Sequence, residues 1–527
     1  MSIFRDSRWF TAETSGIRES VSRLLFAMRN VMPRWVFASI LVSGLCAGQA
    51  SAQAPDSDLV RALALEKAMQ KIIQQNEVSI ACILVSRSER YQEVGQGPAK
   101  SQPGKLGAFN PDPKLLRVSE EKKLQYLKDL DFTNPGYVPR AFGSGVVIDA
   151  KGLILTNYHV VQDATKIFVR LPGGVSSYAD ILAADPRCDL AVLKLLNPDA
   201  RPLRTITFGD ADKMERGQFI LTLSNPFAAG FRDGQPSASW GILSNIRRRA
   251  FPNLKEEQRI KPLQYYGTLL QTDARMHLGC SGGAVFNLSG EMVGLITSVA
   301  AIQGGETPGG FAVPVNAGMR RIIDVLKRGE EVDYGFLGVS FAPQAANGNG
   351  RAGVTLGQIT PGSPAKLDGK LEDHDILLAV NGQPIHEIDD VFATVGGHLT
   401  GTKVRLQIRG RSGVERVVDV TLAKLAVPGK KIASSTGSRP YFRGLRVDHA
   451  SLIVQEPLRQ SGTIPAGVLI SDVQPGSPAE RANLKTGDII THVNQLPVPT
   501  PAAFYAVARG VIELTIQGAP NRVPLKE

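Results

Sequence analysis

Leu270-Gln271-Thr272-Asp273-Ala274-Arg275-Met276-His277-Leu278-Gly279-Cys280-Ser281-Gly282-Gly283-Ala284-Val285-Phe286-Asn287 carries an apolar run into a tight Gly-x-Ser-Gly-Gly turn, and a second apolar run follows from Met292 to Val299. Glycines on both sides of a serine let the backbone fold back on itself, so that amide N–H groups and the hydroxyl converge on one point. That geometry suits attack on an amide carbonyl. Ser281 would be the nucleophile, and the N–H groups of Gly279 and Ser281 would hold the oxyanion. Taken alone, the same letters also describe a glycine-rich turn with an incidental serine.

A hydroxyl nucleophile needs a base, and the base needs an orienting carboxylate. The chain has seven histidines. His277 is too near Ser281 in sequence to reach it from across a cleft, and His374, His386, His398, His449 and His492 lie in a C-terminal half that reads as separate domains. His159 remains, at the polar tip of the apolar strand Gly152-Leu153-Ile154-Leu155-Thr156-Asn157-Tyr158. Downstream, Asp189 opens the apolar run Leu190-Ala191-Val192-Leu193. A carboxylate at the mouth of a buried strand needs a partner. The chain order His, Asp, Ser is that of chymotrypsin-type double β-barrels.

Seven segments in order then carry a family resemblance: Gly143-Ser144-Gly145-Val146-Val147-Ile148, Leu155-Thr156-Asn157-Tyr158-His159-Val160-Val161, Asp189-Leu190-Ala191-Val192-Leu193-Lys194, Ser224-Asn225-Pro226-Phe227, Gln271-Thr272-Asp273-Ala274, Gly279-Cys280-Ser281-Gly282-Gly283 and Gly310-Phe311-Ala312-Val313-Pro314. From about Phe142 to Asn316 the chain resembles HtrA/DegP-type serine proteases, trypsin-like enzymes with C-terminal PDZ domains. The resemblance implies His159 as general base, Asp189 as its orienter and Ser281 as nucleophile. It also implies a homotrimeric building block or larger homo-oligomer. The family usually has Asn-Pro-Gly-Asn before the serine, where this chain has His277-Leu278-Gly279-Cys280. Without proline to fix φ, a more mobile oxyanion loop is expected. Cys280 is a rival nucleophile by chemistry, but the two glycines follow Ser281 directly and give Ser281 the nucleophile's register. Met276 stands where the family lines its primary pocket with an aliphatic residue, which implies cleavage after small or medium apolar residues.

The expected fold is mainly β: a double β-barrel protease domain over 53–332, with an N-terminal helix (Asp56 to Gln75) and a regulatory insertion at about 90–140, then PDZ domains over 333–425 and 440–527 joined by a flexible linker, 426–439. The two C-terminal domains are an internal repeat. Pro361-Gly362-Ser363-Pro364-Ala365 recurs as Pro475-Gly476-Ser477-Pro478-Ala479, and Asp375-Ile376-Leu377-Leu378-Ala379-Val380-Asn381 recurs as Asp488-Ile489-Ile490-Thr491-His492-Val493-Asn494. PDZ domains take a chain terminus as an added strand. In the first copy the carboxylate loop would be Phe336, Leu337, Gly338 and Val339. In the second, Arg443 stands at an apolar position of that loop, which puts its peptide groove in doubt and leaves a role in assembly.

Residues 1–52 read as an export signal: Arg29 and Arg34, a short apolar run from Trp35 to Cys46, and Ala50-Ser51-Ala52 before Gln53. Export implies a periplasmic location. The net charge of +11 is spread over 527 residues. No basic stripe with interleaved aromatics appears, which argues against nucleic-acid binding and is compatible with weak attraction to envelope surfaces. Cys82, Cys188 and Cys280 follow the signal, too few for a disulfide framework. A Cys188–Cys280 bridge is the lesser alternative to free buried thiols. No metal cluster or cofactor motif is found. The expected function is an exported, cofactor-free serine endopeptidase that degrades unfolded or damaged envelope proteins. The alternative is a non-catalytic PDZ scaffold or chaperone with a degenerate oxyanion loop.

Overall fold

The computed structural model describes residues 57–87, 141–197, 202–248, 269–297, 310–342, 353–427, 432–435, 440–455, 462–519 and 522–525. The export signal, the insertion at 90–140 and most of the loop after 248 lie outside the described residues. Helix α1 (Ser57–Asn76) opens the described chain. Among the described residues, no helix is long and apolar enough to cross a membrane.

Six strands form the first barrel: β1 (Ile80–Ser86), β2 (Ala141–Asp149), β3 (Leu153–Asn157), β4 (Lys166–Arg170), β5 (Ser176–Asp185) and β6 (Leu190–Leu195). They run in the order β5-β4-β1-β2-β3-β6, and pairing of β5 with β6 closes the ring. The one-turn helix α2 (Tyr158–Val161) follows β3. Every residue of β1 is buried, as a continuous apolar run in a closed barrel requires. In the β3–β6 register Asn157 lies opposite Leu190. Just beyond that end Tyr158 meets Asp189, its amide bonding the Asp189 carbonyl, and His159 follows Tyr158.

The second barrel closes as β10-β11-β12-β9-β8-β7, from β7 (Phe219–Ser224), β8 (Ser237–Arg248), β9 (Leu269–Thr272), β10 (Ala284–Phe286), β11 (Met292–Thr297) and β12 (Gly310–Pro314). Helix α3 (Ala317–Lys327) leads out, with the Asn316 side chain accepting from the Met319 amide, a standard N-cap.

The repeat seen in the sequence folds twice in one topology. The first copy has β13 (Gly335–Phe336), β14 (Val339–Phe341), β15 (Val354–Ile359), α4 (Pro364–Leu367), β16 (Ile376–Val380), β17 (Gln383–Pro384), α5 (Ile388–Val395), β18 (Lys403–Arg409), β19 (Glu415–Thr421) and β20 (Ala423–Lys424). After β21 (Ile432–Ala433), the second copy has β22 (Leu445–His449), β23 (Val468–Val473), α6 (Pro478–Arg481), β24 (Ile489–Val493), β25 (Leu496–Pro497), α7 (Pro501–Val507), β26 (Ile512–Ile516) and β27 (Val523–Leu525). The sheets run β14-β15-β16-β18-β19 and β22-β23-β24-β26-β27. In each, a serine caps the short helix that follows the Gly-Ser-Pro-Ala motif.

The described residues of the stretch between the copies, expected as a flexible linker, include one short strand. Its described part, β21, pairs with β5 of the first barrel, Ile432 opposite Ala184 and Ala433 opposite Ala183. Its Pro/Gly/Lys-rich composition does not prevent a two-residue strand from using the free edge of β5. The copies are also joined by a buried cation. Lys424 Nζ lies 2.6 Å from Asp448, 3.0 Å from Asp333 and 3.6 Å from Glu331, and Lys424 is 3% exposed. Removing one member of a buried ionic cluster leaves its partners uncompensated. Lys424→Met is expected to destabilise the two repeats by roughly 2 kcal/mol, less than for a fully buried pair because Glu331 and Asp333 keep some solvent. Urea unfolding of the full chain, followed in wild type and variant, measures it.

Candidate active site

His159 and Asp189 meet as the strand register requires. His159 Nδ1 is 2.7 Å from Asp189 Oδ2, and the His159 amide donates to Asp189 Oδ1 at 2.9 Å. Thr297 Oγ1, at the end of β11, donates to Asp189 Oδ2 at 3.3 Å. Asp189 is 1% exposed, so these donors replace water around a buried carboxylate. Its backbone is left-handed, with φ 56°, a conformation that costs a non-glycine residue energy. The Asp189 carbonyl is held in turn by the Tyr158 amide and by Asn157 Nδ2. Arg87 fastens the other side of α2, donating to the carbonyls of His159, Val160 and Gln162.

Ser281 arrives from the second barrel on the turn before β10. Its carbonyl accepts from the Ser144 amide at 2.7 Å. Ser144 Oγ donates to the Gly279 carbonyl at 2.7 Å and accepts from the Asn225 amide at 2.8 Å. Gly282 has φ 86°, and a Cβ there would overlap the Ser144 carbonyl oxygen. Gly143 lets the two barrels close further: a Cβ on it would sit 2.6 Å from Val160 Cγ1 and 3.3 Å from the Ser281 carbonyl oxygen. The neighbour of His159 and the backbone of Ser281 thus press on the same glycine of β2. On the far side, the Gly282 amide donates to the Ile296 carbonyl, next to Thr297. The Ser281 turn of the second barrel and the α2 helix that carries His159 thus both abut β2 at Gly143.

The trypsin-like peptidase domain family matches residues 143–295, and the PDZ domain family matches residues 328–409 and 469–517. A probable periplasmic serine endoprotease, DegP-like, of Pseudomonas putida is 32% identical over 378 residues, 70% of this chain and 74% of its own length. The Ectopseudomonas mendocina protein of the same description is 31% identical over 445 residues, 82% of this chain and 87% of its own. The periplasmic serine endoprotease DegP of Salmonella typhimurium is 31% identical over 395 residues, 73% and 76%. The chain belongs to the DegP/HtrA family of serine endoproteases. It is a serine endopeptidase, and its kinship is with exported, periplasmic enzymes.

Against the DegP/HtrA pattern, the loop before Ser281 lacks proline and is braced by other means. The Phe227 amide donates to the Leu278 carbonyl at 2.7 Å, and the Phe227 ring stacks on His277 with centroids 5.6 Å apart. The Cys280 amide donates to the His277 carbonyl. Gly279 has φ 96°, and a Cβ there would lie 2.6 Å from the Asn225 carbonyl oxygen. These contacts place the loop before Ser281 against the Ser224-Asn225-Pro226-Phe227 loop. Cys280 is 3% exposed, packed with Leu270, Ala274 and Ala312. Cys82, Cys188 and Cys280 are all free, so the Cys188–Cys280 bridge does not form. Met276 joins the same apolar cluster and packs on the backbone of Gly310 in β12.

In the first PDZ copy, Leu337 is buried, and its carbonyl accepts from the Ala365 amide at the start of α4. Gly338 has φ 84° and no room for a Cβ beside Ser363. Val339 and Phe336 are half-buried on either side. Phe341 of β14 and Phe392 of α5 meet edge-on, centroids 5.8 Å apart. In the second copy, Arg443 has φ 51° and turns back to the Leu525 carbonyl. The Tyr505 hydroxyl of α7 accepts from the Val447 amide of β22 at 3.3 Å.

Sequence reading missed Ser144, Thr297 and Arg87. Only Ser144 had a local sign, a small polar residue between two glycines inside an apolar strand. Gly282→Ala is expected to shift the Ser281 turn off β2, abolish phosphonate labelling of Ser281 and cost about 2 kcal/mol or more in stability. Paired labelling and thermal melts test both.

Proposed function

We propose that Ser281 attacks the peptide carbonyl while His159 takes its proton, and that Asp189 holds the imidazole in the productive tautomer and stabilises the imidazolium. The observation that carries this reading is the 2.7 Å pairing of His159 Nδ1 with a buried Asp189, on the cleft to which Ser281 is fastened. The amides of Gly279 and Ser281 receive the tetrahedral oxyanion. His159 returns the proton to the leaving amine. Water then hydrolyses the acyl-enzyme with His159 as base. The reaction needs no cofactor. Met276 at the pocket wall favours small or medium apolar residues before the scissile bond.

The domain plan is a protease domain at 53–332 and PDZ domains at 333–425 and 440–527. The substrates are unfolded or damaged proteins of the cell envelope, recruited as C-terminal peptides by Phe336, Leu337, Gly338 and Val339 of the first PDZ domain. A homotrimer or larger homo-oligomer is the working assembly. The Tyr505 contact to the Val447 amide and the inward turn of Arg443 support an assembly role for the second copy, because they occupy groups a peptide strand would use.

Fluorophosphonate labelling of the mature protein, with and without an apolar-ended peptide, tests the nucleophile. Labelling and casein cleavage are expected to vanish in Ser281→Ala and persist in Cys280→Ala. Asp189→Asn is expected to lower kcat by about ten-thousandfold. Folded protein that neither labels nor cleaves under either condition would be a scaffold or chaperone instead.

A further inference from the structure

His159 rides on a single turn of helix. α2 has four residues, Tyr158–Val161, and a helix that short cannot close its own last carbonyls. Its start is fixed by the Tyr158 amide on the Asp189 carbonyl. Past its end the chain turns through Asp163, left-handed with φ 56°, and returns to β1. There the Thr165 amide and Thr165 Oγ1 donate to the Ser86 carbonyl at 2.8 and 3.1 Å. Arg87 directly follows Ser86, which sets it at the foot of the span from Tyr158 to Gln162.

Every carbonyl of that span has a donor, and Arg87 supplies most of them. The Gln162 amide donates to the Tyr158 carbonyl at 2.8 Å, and the Ala164 amide to the Val161 carbonyl at 3.1 Å. The others go to Arg87. Its Nη2 donates to the His159 carbonyl at 2.8 Å and to the Val160 carbonyl at 2.9 Å, and its Nε donates to the Gln162 carbonyl at 2.9 Å. A guanidinium holds its donors in one rigid plane, so the carbonyls along its edge keep one spacing. Arg87 comes from 72 residues upstream of His159. Val160 adds a reason for tight placement. It bears on Gly143, against which the Ser281 carbonyl also lies, so a shift of α2 is felt at the seam of the barrels.

We propose that Arg87 is a positioning residue for the general base: it locks the carbonyl side of the His159 turn, so that the imidazole held by Asp189 stays aligned for proton transfer. This rests on the triad reading above. The ties at the start of the turn all end on Asp189: the Tyr158 amide, the His159 amide and His159 Nδ1. A body held along one edge still turns about that edge. Arg87 grips the opposite end and stops the rotation. Such a rotation moves Nε2, the imidazole atom that takes the proton, and a shift of about 1 Å in a reacting group costs about a hundredfold in rate. Arg87 itself stands at the surface, so water can take over its carbonyls when it is removed. The fold survives that exchange, and the fixed geometry does not.

The test measures kcat and KM on a chromogenic peptide for the full-length protein, Arg87→Ala, Arg87→Lys and His159→Ala, beside thermal melts, with and without millimolar methylguanidinium. Arg87→Ala is expected to lower kcat about tenfold or more, with KM within about twofold of wild type and an unchanged melting temperature. Lysine brings an ammonium without the fork, so Arg87→Lys is expected to fall between Arg87→Ala and wild type. Methylguanidinium is expected to raise kcat of Arg87→Ala several-fold and to leave wild type as it is. Wild-type kcat in Arg87→Ala overturns the positioning role and leaves the triad standing. A rise in KM at unchanged kcat would place Arg87 in substrate docking and also overturns it. A fall in kcat that methylguanidinium does not reverse, together with a lowered melting temperature, makes Arg87 a general brace of the fold and overturns it too. Turnover retained in His159→Ala overturns the triad reading and this inference with it. If Arg87→Ala fails to fold, wild-type kcat in folded Arg87→Lys overturns it.

Discussion

The cleft depends on one close approach: the backbone of the Ser281 turn lying directly on β2. Ser144 makes that approach stable. Its amide, hydroxyl and carbonyl are all spent on the junction, bonding the Ser281 carbonyl, the Gly279 carbonyl, the Asn225 amide and Thr156 Oγ1. Ser144 is wholly buried, so each of these groups would be costly if left unpaired. A larger residue at Gly282 would prise the turn away, and a larger residue at Gly143 would part the barrels. The glycines around the nucleophile thus act twice. They bend the turn, and they let the backbone of the second barrel's turn lie directly on β2 of the first.

The His159–Asp189 pair has a different physical origin. It follows from register and one turn of helix: Asn157 opposite Leu190 sets Tyr158 beside Asp189, and α2 then carries His159 onto the Asp189 carboxyl. Burying a carboxylate there is unfavourable unless donors surround it. They come from both barrels, the His159 amide and ring from the first and Thr297 from the second. Donors on both sides fix the direction in which Asp189 presents its carboxyl to His159.

What could be read from the sequence was whatever local pattern encodes. The Gly-x-Ser-Gly-Gly turn, the strand ending in His159, the strand opening at Asp189 and the doubled Pro-Gly-Ser-Pro-Ala motif each announce themselves within a dozen residues. Thr297 and Arg87 do not. Arg87 is 72 residues from His159, and nothing around it marks an arginine bound for the histidine's turn. Ser144 lies 135 residues from Gly279. Composition reports how a segment behaves alone, and it gave no sign of β21, which is set by the part of β5 that lies beside it.

The two PDZ copies keep one architecture and differ at few residues. Both keep a glycine in left-handed conformation against the serine that caps the next helix, Gly338 with Ser363 and Gly444 with Ser477. That close approach belongs to the architecture. The differences lie on the edge strand and its facing helix. In the first copy aromatic rings, Phe341 and Phe392, meet between β14 and α5. In the second, Tyr505 takes the Val447 amide, and Asp448 is committed to Lys424 at the root of the first copy. The buried cation at Lys424, bonded to Asp448 of β22, makes separation of the two copies costly.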